Sequence, residues 1–362
     1  MNPNSSNMAD RDGSQDDRPI LLVPYLWVGD FVRCHTIVRL LKQQWPNRPI
    51  DVLTTALCAP LLDFMPGVRS GIVHHISRGR FLPKEHFELA AKIRAGGYGQ
   101  VLVMPRTWKA ALAPALARVP KRTGFIGEAR FGLLNDVRWG EKALPRMIDR
   151  CVTLAMPPGV PVPEFWPEPQ LVVDPADVAA WRARKGVGNG PAVALAPGSV
   201  GPAKRWTYYG EAARLLADAG LDVWVLGGPG ERELAEGIVA MGGPRVRDLT
   251  GTDLRDAVLA LAAAPVAIAN DSGLFHVAAA VGTPPIGIFG PNAPFHGVPL
   301  NPVAAVIMSR TDLPCRPCHQ PVCPLHHHAC MRDISAEEVV AVARRVLAAI
   351  GPQAGIAARL AT

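Results

Sequence analysis

Short apolar runs recur along the chain, separated by amphipathic stretches. Residues 20–24, 51–54, 71–76 and 101–104 are apolar runs of strand length. Between and after them, residues 31–45, 84–95 and 108–118 place apolar side chains at helical spacing, and Gly96-Gly97 ends the second of these. Strands alternating with helices in this way predict a doubly wound parallel sheet with helices on both faces. Another helix is expected over 146–156. The stretch from Arg122 to Arg138 has no clean period. It mixes Gly124, Gly127 and Gly132 with Arg122, Arg130 and Arg138, and reads as a flexible basic loop.

Residues 157–169 contain Pro157, Pro158, Pro161, Pro163, Pro167 and Pro169. Proline has no N–H to donate and a fixed φ, so this stretch is neither a helix nor a central strand. It reads as a stiff linker. The α/β alternation then resumes. Strands are expected over 193–196, 222–226, 265–269 and 286–289. Helices are expected over 207–219, 231–241, a stretch ending near Ala263, and 335–350. The predicted organisation is a leader over 1–18, an α/β domain over 19–156, the linker over 157–170, a second α/β domain over 171–335, a terminal helix over 336–350 and a tail over 351–362.

Composition narrows the function. The length of 362 residues suits two domains, and 49% hydrophobic residues suffice for two cores. Only 19% of residues are charged, yet the net charge is +7, which points to an anionic partner. Aromatics are sparse at 6% and no Lys/Arg block occurs, which counts against a nucleic-acid binder. No apolar run approaches the roughly 18 residues of a membrane-spanning helix. The leader is polar and mixed in charge, without the apolar core of a signal peptide. It is expected to be disordered and the protein cytoplasmic.

The candidate chemistry lies where strands end. Asn270-Asp271-Ser272-Gly273 joins the 265–269 strand to a helix containing His276. The first N–H groups of a helix lack intrahelical partners and its dipole favours anions, so phosphate binds well at such a turn. Asp271 and Ser272 are either caps of that helix or ligands for hydroxyls. His276 is either a packed core residue or part of the site. Two neighbouring loops carry Ser199 with Lys204, and Glu231. Lysine, hydroxyls and a helix start suit a diphosphate, while a glutamate on a strand-end loop suits a ribose diol. In the first half, Asp30 follows Gly29 at a helix start, where it is either an N-cap or a carboxylate at the carboxyl end of a parallel strand, the place where such sheets do chemistry. Gly227 to Gly230 lacks the G-x-G-x-x-G spacing, which argues against a dinucleotide-binding dehydrogenase.

The longer motifs carry a resemblance. They are Trp27-Val28-Gly29-Asp30, Arg122-Thr123-Gly124-Phe125, Gly132 through Arg138, Pro197-Gly198-Ser199, Gly201 through Trp206, Asn270-Asp271-Ser272-Gly273 with His276 to Ala280, and Gly290-Pro291. With these the sequence resembles the lipopolysaccharide heptosyltransferases of glycosyltransferase family nine, and within them the type II branch, from Ile20 to about Ile350. The resemblance implies a GT-B fold: two Rossmann-like domains facing a cleft. It implies transfer of heptose, with inversion, from ADP-heptose to a lipid A–Kdo acceptor that carries one heptose. That reaction takes place at the cytoplasmic face of the inner membrane. It makes Asp30 the catalytic base. Ser199, Lys204, Glu231, Thr252, Asp271, Ser272, Gly273 and His276 become the donor site. Arg122, Arg130 and Arg138 become candidates for the acceptor's anionic groups, with structural salt bridges as the competing explanation. No cofactor is implied for the transfer itself. Other family-nine acceptors, or a non-catalytic module that binds the nucleotide-sugar, are the alternatives.

One cluster stands apart. Cys315, Cys318, Cys323 and Cys330 lie close in sequence, with His319, His326, His327 and His328 among them. In a cytoplasmic protein such crowding favours metal over disulfides, and structural zinc through four thiolates is the simplest reading. An iron–sulfur site or reduced thiols packing a loop are the others. Cys34, Cys58 and Cys151 read as small buried apolar residues.

Overall fold

A computed structural model describes residues 16–75, 81–144, 146–162, 166–294, 306–310 and 312–350. Most of the expected leader, the tail over 351–362, residues 163–165 of the expected linker, and Ile76 at the end of the third expected strand lie outside the described residues.

The first half is a six-stranded sheet built from β1 (Ile20–Val23), β2 (Ile50–Thr54), β3 (Ser70–Val73), β4 (Gln100–Val103), β5 (Lys121–Phe125) and β6 (Asp136–Arg138), in the order β3-β2-β1-β4-β5-β6. The second half repeats the plan with β7 (Ala192–Ala196), β8 (Asp222–Val225), β9 (Val246–Asp248), β10 (Val266–Asn270), β11 (Pro285–Phe289) and β12 (Val306–Ser309), in the order β12-β11-β10-β7-β8-β9. Every pairing is parallel. Each half starts at the sheet centre, winds to one edge, then crosses to the other. Central strands β1, β7 and β10 are buried along their whole length, so they read as continuous apolar runs without alternation. The expected α/β class and the paired Rossmann-like sheets are therefore observed.

The helices of the first half are α1 (Val28–Arg33), α2 (His35–Gln44), α3 (Pro83–Ala95), α4 (Trp108–Leu116) and α5 (Met147–Leu154). Those of the second are α6 (Pro175–Lys185), α7 (Tyr209–Asp218), α8 (Arg232–Gly242), α9 (Leu254–Ala263), α10 (Gly273–Ala280), α11 (Ala329–Arg332) and α12 (Ala336–Ile350). The single helix expected over 31–45 is two, divided at Cys34, and it starts three residues earlier. The expected basic loop over 122–138 contains two strands. Lys121–Phe125 pairs with β4 and Asp136–Arg138 pairs with β5, so polar residues there are carried by backbone pairing rather than by an apolar face. The edge strand β9 and the helix α6 also escape a reading based on apolar runs, and the edge strand β12, apolar from Val306 to Met308, was not among the expected strands.

The two halves share one core. Ile20, Leu22, Phe31 and Val32 belong to the same buried cluster as Trp181, Val258, Val277 and Ala278. The closest approach joins the starts of α1 and α10. A Cβ on Gly29 would lie 2.6 Å from His276 Cδ2, and one on Gly273 would lie 2.7 Å from Val28 Cβ. Behind this contact the returning chain is stitched to both halves. Leu171 N–H donates to Ala280 O at 2.8 Å and Val172 N–H donates to Phe64 O at 2.8 Å. Arg255 pairs with Asp63 of one half and Asp177 of the other, at 3.0 and 2.9 Å, with its guanidinium over the Phe64 ring. His35 accepts from Gln170 N–H on Nδ1 at 3.0 Å, which leaves Nε2–H to donate to Pro66 O at 2.8 Å. No helix among the described residues is long and apolar enough to cross a membrane.

Two stability effects follow from these contacts. Gly273→Ala forces a methyl against Val28 and is expected to lower the unfolding free energy by about 1–3 kcal/mol, an overpacking cost readable in a urea titration. Burial lowers the pKa of His35 to about 4, from an ordinary 6.5 in the unfolded chain. The neutral ring's contribution is complete above pH 6.5 and is lost as pH falls toward 4, by at most about 3 kcal/mol. Urea midpoints measured between pH 7 and pH 4 are expected to fall less steeply in His35→Gln than in the native protein.

Candidate active site

Two strand-end loops of the second half and the first turn of α1 meet at the junction of the two sheets. β10 ends at Asn270, which is fully buried. Its side chain donates to Pro197 O at 2.7 Å and accepts from Trp206 N–H at 3.2 Å. It therefore ties the exit loop of β7 to the end of β10. A short helical turn, Pro202–Lys204, then presents Lys204, whose Nζ donates to Asp271 Oδ2 at 2.8 Å. Ser199 Oγ donates to Asp271 O at 3.4 Å. The structure thus gathers Ser199, Lys204, Asp271, Ser272 and Gly273 at one place.

Asp271 and Ser272 do not cap α10. Ser272 is the N-cap residue and its side chain makes no capping bond among the described residues. Asp271 turns instead to Lys204 and to Asn292, whose Nδ2 donates to the same oxygen at 2.6 Å. The amino end of α10 therefore keeps N–H groups without intrahelical partners. Asn292 follows Gly290-Pro291 in the loop after β11. Nothing in its neighbourhood announced that it would reach Asp271.

Glu231 closes a short helical turn, Pro229–Glu231, and its side chain lies across two glycines. A Cβ on Gly198 would sit 2.8 Å from its Cγ and 2.9 Å from its Oε1, and a Cβ on Gly227 2.8 Å from its Cβ. Those glycines make room for the glutamate beside the β7 exit loop. Thr252 follows Gly251, whose N–H donates to Gly227 O at 3.0 Å, so the loop after β9 lies beside Glu231's loop. The Thr252 hydroxyl itself donates to Leu249 O at 3.3 Å.

From the first half comes Asp30. It is the third residue of α1, after the N-cap Trp27, and does not cap the helix. Arg33 Nη2 donates to its Oδ1 at 2.6 Å. Burial raises the Asp30 pKa, Arg33 opposes that shift, and Asp271 and Lys204 act on it from across the junction. His276 is 4% exposed, so it is packed, and it also touches the site through Gly29. Burial pushes its pKa well down, with Arg33 and Lys204 adding to the effect, and its Nδ1 has no hydrogen-bond partner among the described residues. A neutral imidazole is the form this environment holds.

The three arginines have structural partners. Arg122 donates to Leu133 O and Val119 O, both at 2.7 Å, near the amino end of β5. Arg130 is 1% exposed and donates to Pro105 O at 2.6 Å and to Phe125 O. Arg138 donates to Asp136 at 3.0 Å. Of the two readings given for them, the structural one has direct contacts.

The expected zinc site is not assembled. Among the described residues no three His, Cys, Asp or Glu side chains converge as a metal site. Cys330 is buried beside Met331 in the second core, Cys323 accepts backbone N–H bonds from residues 325–328, and Cys315 Sγ lies 4.0 Å from His327 Nε2. The segment instead packs against the loops that carry Lys204 and Asn292. Pro321 O accepts from Ala203 N–H at 3.0 Å, and the N–H groups of Cys318 and His319 both donate to Pro291 O. Cys34, Cys58 and Cys151 are buried, as expected.

A family model for glycosyltransferase family 9 (heptosyltransferase) matches residues 86–329. The chain belongs to glycosyltransferase family 9. It is accordingly a glycosyltransferase. Among family members, it is 36% identical to lipopolysaccharide heptosyltransferase 2 of Escherichia coli K12 over 305 residues, 80% of this chain and 87% of that one. It is 34% identical to lipooligosaccharide heptosyltransferase 2 of Haemophilus ducreyi, covering 80% and 88%. The solved structure of E. coli ADP-heptose LPS heptosyltransferase II superposes with a TM-score of 0.78 at 32% identity, over 91% of this chain and 99% of that one.

The Asp271 anchor is open to a direct test. Asn292→Ala removes one of two donors to its Oδ2, a neighbouring-group loss worth about 0.5–1.5 kcal/mol. A urea titration is expected to show the unfolding free energy lowered by that amount.

Proposed function

We propose that the chain transfers L-glycero-D-manno-heptose from its ADP derivative, with inversion, to a lipid A–Kdo inner core that already carries one heptose. The observation that carries this reading is the junction itself: Asp30 from one half lies within electrostatic reach of Lys204 and Asp271 from the other. The similarity to heptosyltransferases 2 over four-fifths of the chain supports the choice of donor and acceptor.

In this reading the donor's diphosphate lies at the amino end of α10 beside Lys204, and its ribose near Glu231. The heptose reaches toward Asp271 and Gly273. The acceptor hydroxyl approaches from the first half. Its proton passes to Asp30 as its oxygen bonds to the anomeric carbon, and the bond to ADP breaks with the electron pair leaving on phosphate. Charge grows on ADP during that step. Lys204 and the unpartnered N–H groups of α10 meet it with fixed positive potential. The lipid anchor of the acceptor brings the reaction to a membrane surface, and the net charge of +7 suits anionic headgroups at the cytoplasmic face.

The test is transfer from ADP-heptose to two acceptors in parallel, lipid A–Kdo with one heptose and lipid A–Kdo with none. Transfer to the first alone is expected. Transfer only to the second would move the protein to a type I acceptor, and donor binding without transfer to either would favour a binding module. Asp30→Asn is expected to bind ADP normally and lose transfer by at least about a hundredfold. Lys204→Met is expected to weaken ADP binding by roughly ten- to a hundredfold, the loss of one charge-assisted contact.

A further inference from the structure

Asp30 has its own counter-ion. Arg33 lies one turn along α1, and the i,i+3 spacing puts both side chains on one face of the helix. Its Nη2 reaches Asp30 Oδ1 at 2.6 Å, with the two side chains only 16% and 17% exposed. An exposed pair of this kind contributes little, because water and salt screen it and two long side chains must be held still. This pair is largely out of water and sits where the two halves meet. Arg33 acts electrostatically on His276 of α10, so the pair faces the donor side of the junction.

The other charges near Asp30 cannot do the same work. Lys204, from the β7 exit loop, is engaged by Asp271 at 2.8 Å. Asp271 itself repels Asp30, and His276 is held neutral by burial. Cys34, the residue after Arg33, is a fully buried thiol whose pKa burial raises. Among the described residues, Arg33 is thus the cation that contacts Asp30 directly. A guanidinium is also a planar donor that fixes a carboxylate in orientation as well as in charge.

We propose that Arg33 is a positioning residue for the transfer: by occupying Oδ1 it fixes the Asp30 carboxylate and leaves Oδ2 to take the proton of the acceptor hydroxyl. The proposal rests on the reading of Asp30 as the base. The same contact counters the desolvation of a buried carboxylate, so that the base is ionised when acceptor arrives. The proton then moves from the acceptor oxygen to Oδ2, while Arg33 stays bonded to Oδ1 and takes no part in bond making.

The experiment compares Arg33→Met, Arg33→Lys and Asp30→Asn in the full chain. It measures kcat and KM for ADP-heptose and for the mono-heptosyl acceptor across pH. Arg33→Met is expected to lower kcat about tenfold or more with donor KM within about twofold. The acid limb of its kcat/KM profile is expected to move up by about one pH unit or more, since the opposite charge that favours the carboxylate is gone. Arg33→Lys is expected to return that limb to within about half a unit of the native one while kcat remains severalfold low, because lysine restores charge and not the planar fork. A fall in kcat with an unmoved acid limb means a merely structural role and overturns the proposal, as does a shifted limb that lysine fails to restore. If Arg33→Met does not fold, Arg33→Lys decides alone, and native kcat in that variant overturns the positioning role. Transfer retained in Asp30→Asn would remove the base reading and this proposal with it. An inactive Asp30→Asn beside a native profile in Arg33→Met would remove only the role of Arg33.

Discussion

Two helix N-termini approach one another with almost nothing between them. Gly29 at the start of α1 faces His276, and Gly273 at the start of α10 faces Val28. The site depends on this contact. Each helix begins where a central strand of its sheet ends, so bringing the helix starts together brings together the carboxyl edges of both sheets, where α/β folds place their chemistry. Side chains at either glycine would hold the edges apart. The contact also has an electrostatic side. Both N-termini carry partial positive charge, and Lys204 and Arg33 add to it. Asp30 and Asp271 offset that charge pairwise, with one salt bridge in each half. The helix of the second half still offers N–H groups there without intrahelical partners.

Why the two halves keep this alignment is answered at the other end of α10. Backbone bonds from Leu171 and Val172 reach into α10 and Phe64, and Arg255 bridges acidic residues of both halves across an aromatic ring. A neutral His35 bonds the returning chain at Gln170. These contacts join a shared apolar cluster that runs through both halves. The proline-rich stretch before them restricts the chain's path, and the bonds around residues 170–172 turn that restriction into a defined arrangement of the sheets.

The strand-end loops of the second half show how loops are made specific by small residues and by borrowed partners. Gly198 and Gly227 leave the space in which Glu231 lies, and Asn270 pins the β7 exit loop to the end of β10. Asn292 and Lys204 hold one oxygen of Asp271 from two different loops. The cysteine-containing segment contributes backbone carbonyls and N–H groups to the same loops, through Pro321 to Ala203 and from Cys318 and His319 to Pro291. Its other thiols lie within electrostatic reach of Cys330 but have different partners, because Cys330 belongs to the core and Cys323 to a turn of backbone N–H donors.

Central strands were legible in the chain because strands covered on both faces must be apolar throughout, as β1, β7 and β10 are. The turn at Asn270 to Gly273, and Asp30 after Gly29, were legible because few residue types suit the end of a parallel strand. Strand β5 and the edge strands β6 and β9 were not, since backbone pairing sustains them with polar side chains, and the same polar composition reads as loop. The long motifs also revealed the family, through a pattern spread over both halves. The partners of each side chain were beyond reach. Arg122 and Arg130 reach backbone carbonyls that sequence does not place beside them, and Arg33 differs from any other helical arginine only by what it faces. Local sequence by itself determined the α/β alternation, the central strands and the residue types at the strand ends. The tertiary structure alone decided which of those residues meet, because hydrogen bonds and charge pairs act over a few ångströms in space and are indifferent to separation along the chain.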